Sequence, residues 1–231
     1  MTSIRLVAFD LDGTLVDSAA DIACAVACMS EELGLRPPDV TEVRTWVGDG
    51  LRMLLKRALG NGHDCEPPDQ LYQQALSAFR RAYLANLTGQ SRLYAGTLEC
   101  LDRLRAQHLR LACVTNKSAE FSLPLLEALE IRQYFGLVLS GDTLAQRKPH
   151  PLPLLHAASH FGIAPDAACM VGDSRNDLLA ARAAGYAAVG VRYGYGGELD
   201  GYGPDALLDS LAQLPPLLEQ WTRPMARGAS A

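Results

Sequence analysis

Two aspartates one residue apart, Asp10 and Asp12 in FDLDGT, follow directly on the apolar run IRLVAF at residues 4–9. Like charges this close repel, and burying either is costly, so the pair needs a nearby cation or a reaction that uses it. Three further stretches offer matching chemistry. They are Thr115-Asn116-Lys117 after the apolar LRLACV, Lys148 in RKPHP, and GDSRND at 172–177, which carries Asp173 and Asp177. Carboxylates together with a substrate oxygen suit Mg²⁺, which prefers oxygen ligands and keeps several waters. The hydroxyl of Thr115, the amide of Asn116 and the ammonium of Lys148 suit phosphate oxygens. Each stretch alone has a plainer reading, as a solvated turn, a loop before proline or a helix cap. Their succession behind apolar runs is what a chance arrangement does not explain.

The elements that must position these residues can be read from hydrophobic pattern. Four apolar runs, at 4–9, 109–115, 167–172 and 187–191, and a weaker one at 137–141, predict strands. Most are continuous rather than alternating, as in parallel strands covered on both faces. Helical patterns at 97–107, 118–130, 151–162 and 176–184 separate them, the last stopped by Gly185. The alternation predicts an α/β fold, a doubly wound Rossmann-like parallel sheet, which binds ligands beyond the carboxyl ends of its strands. Between the first strand and residue 96 the pattern is helical throughout. Ile22, Val26, Met29 and Leu33 share one face, Leu51, Leu54, Leu55 and Leu59 another, and Leu71, Ala75, Leu76, Phe79 and Tyr83 a third. The expected division is a core of residues 1–16 and 92–220, an inserted all-helical domain of 17–91, and a flexible tail of 221–231.

Composition narrows the function classes. The 231 residues are 48% hydrophobic and 20% charged with a net charge of −5, an ordinary globular balance that offers nucleic acid no general attraction. No apolar run approaches the ~18 residues that span a bilayer, so the expectation is a cytoplasmic protein with no membrane and no nucleic-acid partner. The six cysteines lack CxxC spacing and read as buried free thiols, and Cys24 with Cys28 has no further ligand at metal-binding spacing.

DLDGT at 10–14, the threonine of VTNK at 114–117, the lysine of KPHP at 148–151 and GDSRND at 172–177 together resemble the haloacid dehalogenase superfamily of phosphohydrolases. The resemblance runs from about residue 4 to about 213 and includes the helical insert, where one subgroup carries its cap. It implies that Asp10 is a nucleophile forming an aspartyl-phosphate and that Asp12 is the general acid and base. It also implies Mg²⁺ held by Asp10, the Asp12 carbonyl and Asp173, with Asp177 as a supporting acid. An aspartic acid holding its proton at pH 7 is disfavoured by roughly 4 kcal/mol, which neighbouring carboxylates and desolvation would have to offset. VRTWVGDG at 43–50, GDTLAQRKPHPLPL at 141–154 and VRYGYG at 191–196 resemble bacterial phosphoglycolate phosphatases more narrowly, with departures at Ala95 and His150.

That narrower likeness implies a small phosphorylated metabolite as partner; for the oligomeric state the sequence leaves both a monomer and a homodimer open. It makes Arg44, Gly48, Asp49, Gly50 and Arg52 candidates for meeting the substrate's carboxylate, although a solvated helix face is the simpler reading for both arginines. Trp46 reads as a packing anchor of the insert. A sugar-phosphate phosphatase, including one acting on N-acetylmuramic acid 6-phosphate, a phosphomutase, and a metabolite-binding protein on the same scaffold all remain open at this stage.

Overall fold

In the computed structural model, which describes residues 3–222, the first apolar run forms strand β1 (Leu6–Phe9) in the middle of a six-stranded sheet. The other strands are β4 (Arg110–Val114), β5 (Leu137–Leu139), β6 (Ala168–Gly172), β7 (Ala187–Val191) and β8 (Ala206–Leu208), in the order β5-β4-β1-β6-β7-β8, all parallel. The chain builds outward from β1 to one side through β4 and β5 and to the other through β6, β7 and β8. That reversal leaves a crevice beyond the carboxyl end of β1, the usual ligand position in such sheets.

Burial on both faces explains the continuous apolar runs. Val7 and Phe9 of β1, Cys113 of β4 and Val171 of β6 join one core layer, while Leu6, Ala8, Val114 and Met170 join the other. Helices α5 (Thr97–Ala106), α6 (Ala119–Ala128), α7 (Leu152–Phe161) and α8 (Arg175–Ala184) cover those faces, close to the expected spans. Strand β8 was not anticipated, because three residues at a sheet edge are too few to show a pattern. Helix α9 (Leu214–Thr222) carries Trp221 against the core, so the residue expected to open the tail is helical. The rest of that expected tail, 223–231, lies outside the described residues. All six cysteines are free, but only Cys100, Cys113 and Cys169 are buried.

The insert contains α1 (Ala19–Glu32), α2 (Val40–Arg44), α3 (Leu51–Leu59) and α4 (Asp69–Ala85). The short α2 was not expected from periodicity; it is started by a reciprocal cap in which Asp39 accepts from the backbone of Thr41 and Glu42 while Glu42 accepts from Asp39 N. Ile22, Val26, Trp46, Leu55, Phe79 and Tyr83 build a separate apolar cluster, to which α6 adds Phe121. Fully burying a side chain of this size stabilises by about 1.5–3 kcal/mol, enough for the insert to have its own core.

Both linkers to the sheet pass through a small antiparallel pair, β2 (Val16–Asp17) with β3 (Arg92–Leu93). Beside it, buried Asp21 accepts from Gln90 N, Ser91 N and Ser91 Oγ at 2.9, 2.7 and 2.6 Å, fastening the start of α1 to the returning chain.

Candidate active site

Asp10 follows β1 and continues its ladder, donating from its N–H to Val171 O at 2.9 Å. The adjacent strand ends bring the other charges to it. Lys148 Nζ lies 2.9 Å from Asp10 Oδ1 and 2.6 Å from Asp177 Oδ1, with all three residues buried. Asp177 stands in the first turn of α8 and also accepts from Ser174 N and Ser174 Oγ at 3.0 and 2.6 Å. One carboxylate therefore both caps a helix and orients the lysine.

Asp173 accepts from Thr14 Oγ1 at 3.2 Å and from Tyr195 N at 2.6 Å. Glycine is required where the DLDGT loop passes this carboxylate. Gly13 has φ +84°, and a Cβ there would stand 2.2 Å from Asp173 Oδ2. Tyr195 carries the contact onward, since its hydroxyl accepts from Ser18 N and Ala19 N and donates to Asp17 Oδ1. The loop that positions Asp173 is thus tied to the entry into the insert.

Oxygens of Asp10, Asp173 and Asp177 lie within 4.8 Å of one another. Burial pushes Asp10 up to about 6 against the pull of Lys148, with Asp177 adding repulsion. Burial, and then Asp177 and Asp10, push Asp173 up to about 8. Burial opposes the Lys148 ammonium, but Asp10 and Asp177 outweigh it and hold the group above its ordinary value. Two carboxylates, Asp10 and Asp177, thus share one buried ammonium, while the third, Asp173, has only neutral donors. Asp10 Oδ1, although ion-paired with Lys148, accepts no well-directed hydrogen bond. The residues present fit a divalent cation, which would supply the missing positive charge and an oxygen-binding partner for Asp10 and Asp173.

This electrostatic arrangement has a pH signature. Both acids have folded values above the unfolded ~4, so between pH 4 and 8 the folded protein holds more protons than the unfolded chain. Stability without a cation therefore falls through these groups as pH rises over that window. A divalent cation at 100 times its dissociation constant should add about 2.7 kcal/mol at pH 8 and distinctly less at pH 5, where protons compete for the same oxygens. Urea unfolding with and without cation at the two pH values checks this; an equal gain at both contradicts it.

Asp12 lies across the crevice in different surroundings. Both of its carboxylate oxygens are 3.0 Å from Lys117 Nζ, and Oδ1 also accepts from Ser18 Oγ. The repulsive neighbours expected around Asp12 are replaced by a buried ammonium. Lys117 Nζ donates as well to Tyr83 OH at 2.7 Å, so it bridges the sheet domain and α4. Lys117 was visible in the sequence beside Thr115 and Asn116, yet nothing in a linear reading distinguished it from a solvated loop lysine.

The remaining candidates separate clearly. Thr115 is buried in the crevice wall, and its Oγ1 accepts from Lys117 N at 3.2 Å, leaving the hydroxyl proton to donate. Asn116 does not aim its amide donors at the crevice: Nδ2 is engaged by Gly48 O and Lys148 O, each at 2.9 Å. Gly48 and Gly50 line the pocket. Asp49 instead pairs with Arg57 at 2.6 Å and accepts from Asn176 at 2.8 Å, holding the turn to the core.

Arg44 and Arg52 are outside the pocket. Arg44 pairs with Asp17 at 3.0 Å and lies over the Tyr195 ring, while exposed Arg52 stands 3.9 Å from Glu66. Their helices turn them toward solvent, so neither lines the pocket.

Comparison with known proteins agrees with this geometry. The haloacid dehalogenase-like hydrolase family model matches residues 7–191. The chain is 48% identical to a phosphoglycolate phosphatase of Nitrosococcus oceani, over 94% of this chain and 97% of that one. It is 43% identical to a phosphoglycolate phosphatase of Thiobacillus denitrificans, over 91% and 93% of the two chains. A crystal structure of a predicted phosphoglycolate phosphatase from Haemophilus somnus matches with a TM-score of 0.88 at 36% identity, over 94% and 99% of the chains. No helix among the described residues is long and apolar enough to cross a membrane. The acids at the end of β1, their buried lysine and a match across most of the chain lead to one assignment: this protein belongs to the haloacid dehalogenase-like hydrolase family.

Proposed function

We propose that the protein is a Mg²⁺-dependent phosphatase that hydrolyses 2-phosphoglycolate to glycolate and phosphate through an aspartyl-phosphate on Asp10. The observation that carries this reading is the buried Asp10–Lys148–Asp177 array opening, beside Asp12, into a pocket walled by the helical insert. The names of the relatives supply the substrate.

In this mechanism an Asp10 oxygen forms a bond to phosphorus as the bond from phosphorus to the ester oxygen breaks. Asp12 gives its proton to the departing oxygen. A water then loses a proton to Asp12 and attacks phosphorus, and the bond to Asp10 breaks to release phosphate. Thr115 Oγ1 and Lys148 bind phosphoryl oxygens, stabilising charge that persists throughout the transfer. Mg²⁺, held by Asp10, Asp173 and the Asp12 carbonyl, would supply further charge stabilisation when bound. The insert of residues 17–91 acts as a cap that keeps bulk water from the intermediate.

Asp12→Asn should lower kcat by about 10²–10⁴-fold, slowing both phosphoenzyme formation and its breakdown in rapid-quench experiments. Unchanged turnover would remove the acid-base role. The substrate itself is tested by kcat/KM with Mg²⁺ across 2-phosphoglycolate, hexose phosphates and N-acetylmuramic acid 6-phosphate. A tenfold preference for a sugar phosphate would overturn the choice, and return of the phosphoryl group to a sugar would indicate a mutase.

A further inference from the structure

We infer that Lys117 is the residue that recognises the substrate's carboxylate, and so selects phosphate esters of small carboxylic acids over neutral esters; this rests on the phosphatase reading above. The inference begins with the pocket wall. Its insert side is apolar, with Ile22, Val47, Leu51, Leu54 and Phe79. An anionic group entering beside these residues loses its hydration and needs a cation.

Among the described residues, Lys117 is the only lysine or arginine lining that pocket. Lys148 is held behind Asp10 by Asp10 and Asp177, where it suits the phosphoryl group. Arg44 and Arg52 are turned away. Arg147 has its guanidinium beside Gly50 at the rim and makes no contribution to the wall.

The surroundings of Lys117 also suit the role. Its Nζ is fixed on one side by Asp12 and on the other by Tyr83 OH, and the Tyr83 ring lies 4.8 Å from it. These groups hold the ammonium in the wall of the same pocket that Asp10 and Thr115 line. In the inferred complex a ligand with a carboxylate one carbon from its ester oxygen lies with its phosphoryl group at Thr115 and Asp10 and its carboxylate at Lys117. The Asp12 carboxylate occupies the ammonium in the free protein and gives way as the ligand's carboxylate arrives.

The test compares 2-phosphoglycolate with ethyl phosphate, which replaces the carboxylate by a methyl group. Loss of Lys117 also disturbs Asp12, so the informative quantity is the ratio of kcat/KM values for the two esters. In Lys117→Met that ratio should fall about 100-fold, with the loss for 2-phosphoglycolate mainly in KM. Lys117→Gln, which keeps a donor for Asp12, should show the same fall in ratio should the methionine variant not fold. Inhibition by glycolate should weaken in either variant, while inhibition by inorganic phosphate should not. Equal losses for both esters would overturn the inference and leave the phosphatase reading standing. A ratio that collapses in Arg147→Ala and persists in both Lys117 variants would also overturn it. An unaltered enzyme without preference for 2-phosphoglycolate would overturn the substrate reading and this inference together.

Discussion

Asp10→Asn is expected to lower kcat by at least about 10⁴-fold, the scale seen when a nucleophile that forms a covalent intermediate is removed. It should do so while leaving the protein folded. Asparagine keeps the volume of the buried aspartate, and it removes one of the two carboxylates paired with a single ammonium and one of three clustered acids. Lys148 then pairs with Asp177 alone, and Asp173 loses a repulsive neighbour that helps push it up to about 8. The variant should therefore unfold at a higher urea concentration than the unaltered protein at pH 8 without a cation, and show a smaller gain when a cation is added. Phosphate release and urea unfolding on the same preparation check the two halves. Activity above contamination would remove Asp10 as nucleophile, and a marked loss of stability would contradict the charge accounting.

Lys148→Met should act in the opposite direction on stability. The ammonium is almost fully buried and, among the described residues, is the only cation in contact with Asp10 and Asp177. Removing one partner of a buried ion pair costs about 3–5 kcal/mol, because the other charge stays uncompensated. For a chain of this size that corresponds to a lowering of the thermal midpoint by roughly 10 °C. The loss should shrink at pH 5, where Asp10 and Asp173 take up protons, and in the presence of a divalent cation. Under the proposed mechanism activity should fall by at least about 10³-fold even with cation present, since that mechanism uses Lys148 as a preorganised donor to the phosphoryl oxygens. Lys148→Arg should not restore it: a planar guanidinium does not fit between two carboxylates that each contact one point charge. Calorimetry at pH 5 and pH 8 with turnover measurements checks this. A stability loss independent of pH would mean that packing, not charge, governs the position.

Much of the arrangement was legible in the sequence because it is local. Short apolar runs become strands covered on both faces, and the residues just after each run stand at the carboxyl end of a strand. Asp10, Thr115 and Asp173 stand at adjoining strand ends for that reason, while Lys148 reaches Asp10 from the longer loop after β5. The helical insert was legible from periodicity, and Gly185 from its place behind a helix, where it adopts φ +77°.

Direction and partner were left undecided by the linear pattern. Arg44 and Arg52 flank the pocket-lining turn in sequence, yet helical rotation sends them to Asp17 and Glu66. Asn116 is adjacent to Thr115, but its amide is spent on Gly48 and Lys148, joining the insert to the core. Lys117 has the ordinary appearance of a loop lysine, and its meaning comes from Asp12 and Tyr83, 105 and 34 positions away.

The sequence by itself determined which groups stand at strand ends and therefore which chemistry was available, because strand alternation and helix periodicity are properties of short segments. Only the tertiary structure decided which charges neutralise which, and which side chains face the pocket. Ion pairing and burial depend on distances between segments remote in the chain, and a rotation of one helix by a single residue, about 100°, is enough to exchange a pocket contact for solvent.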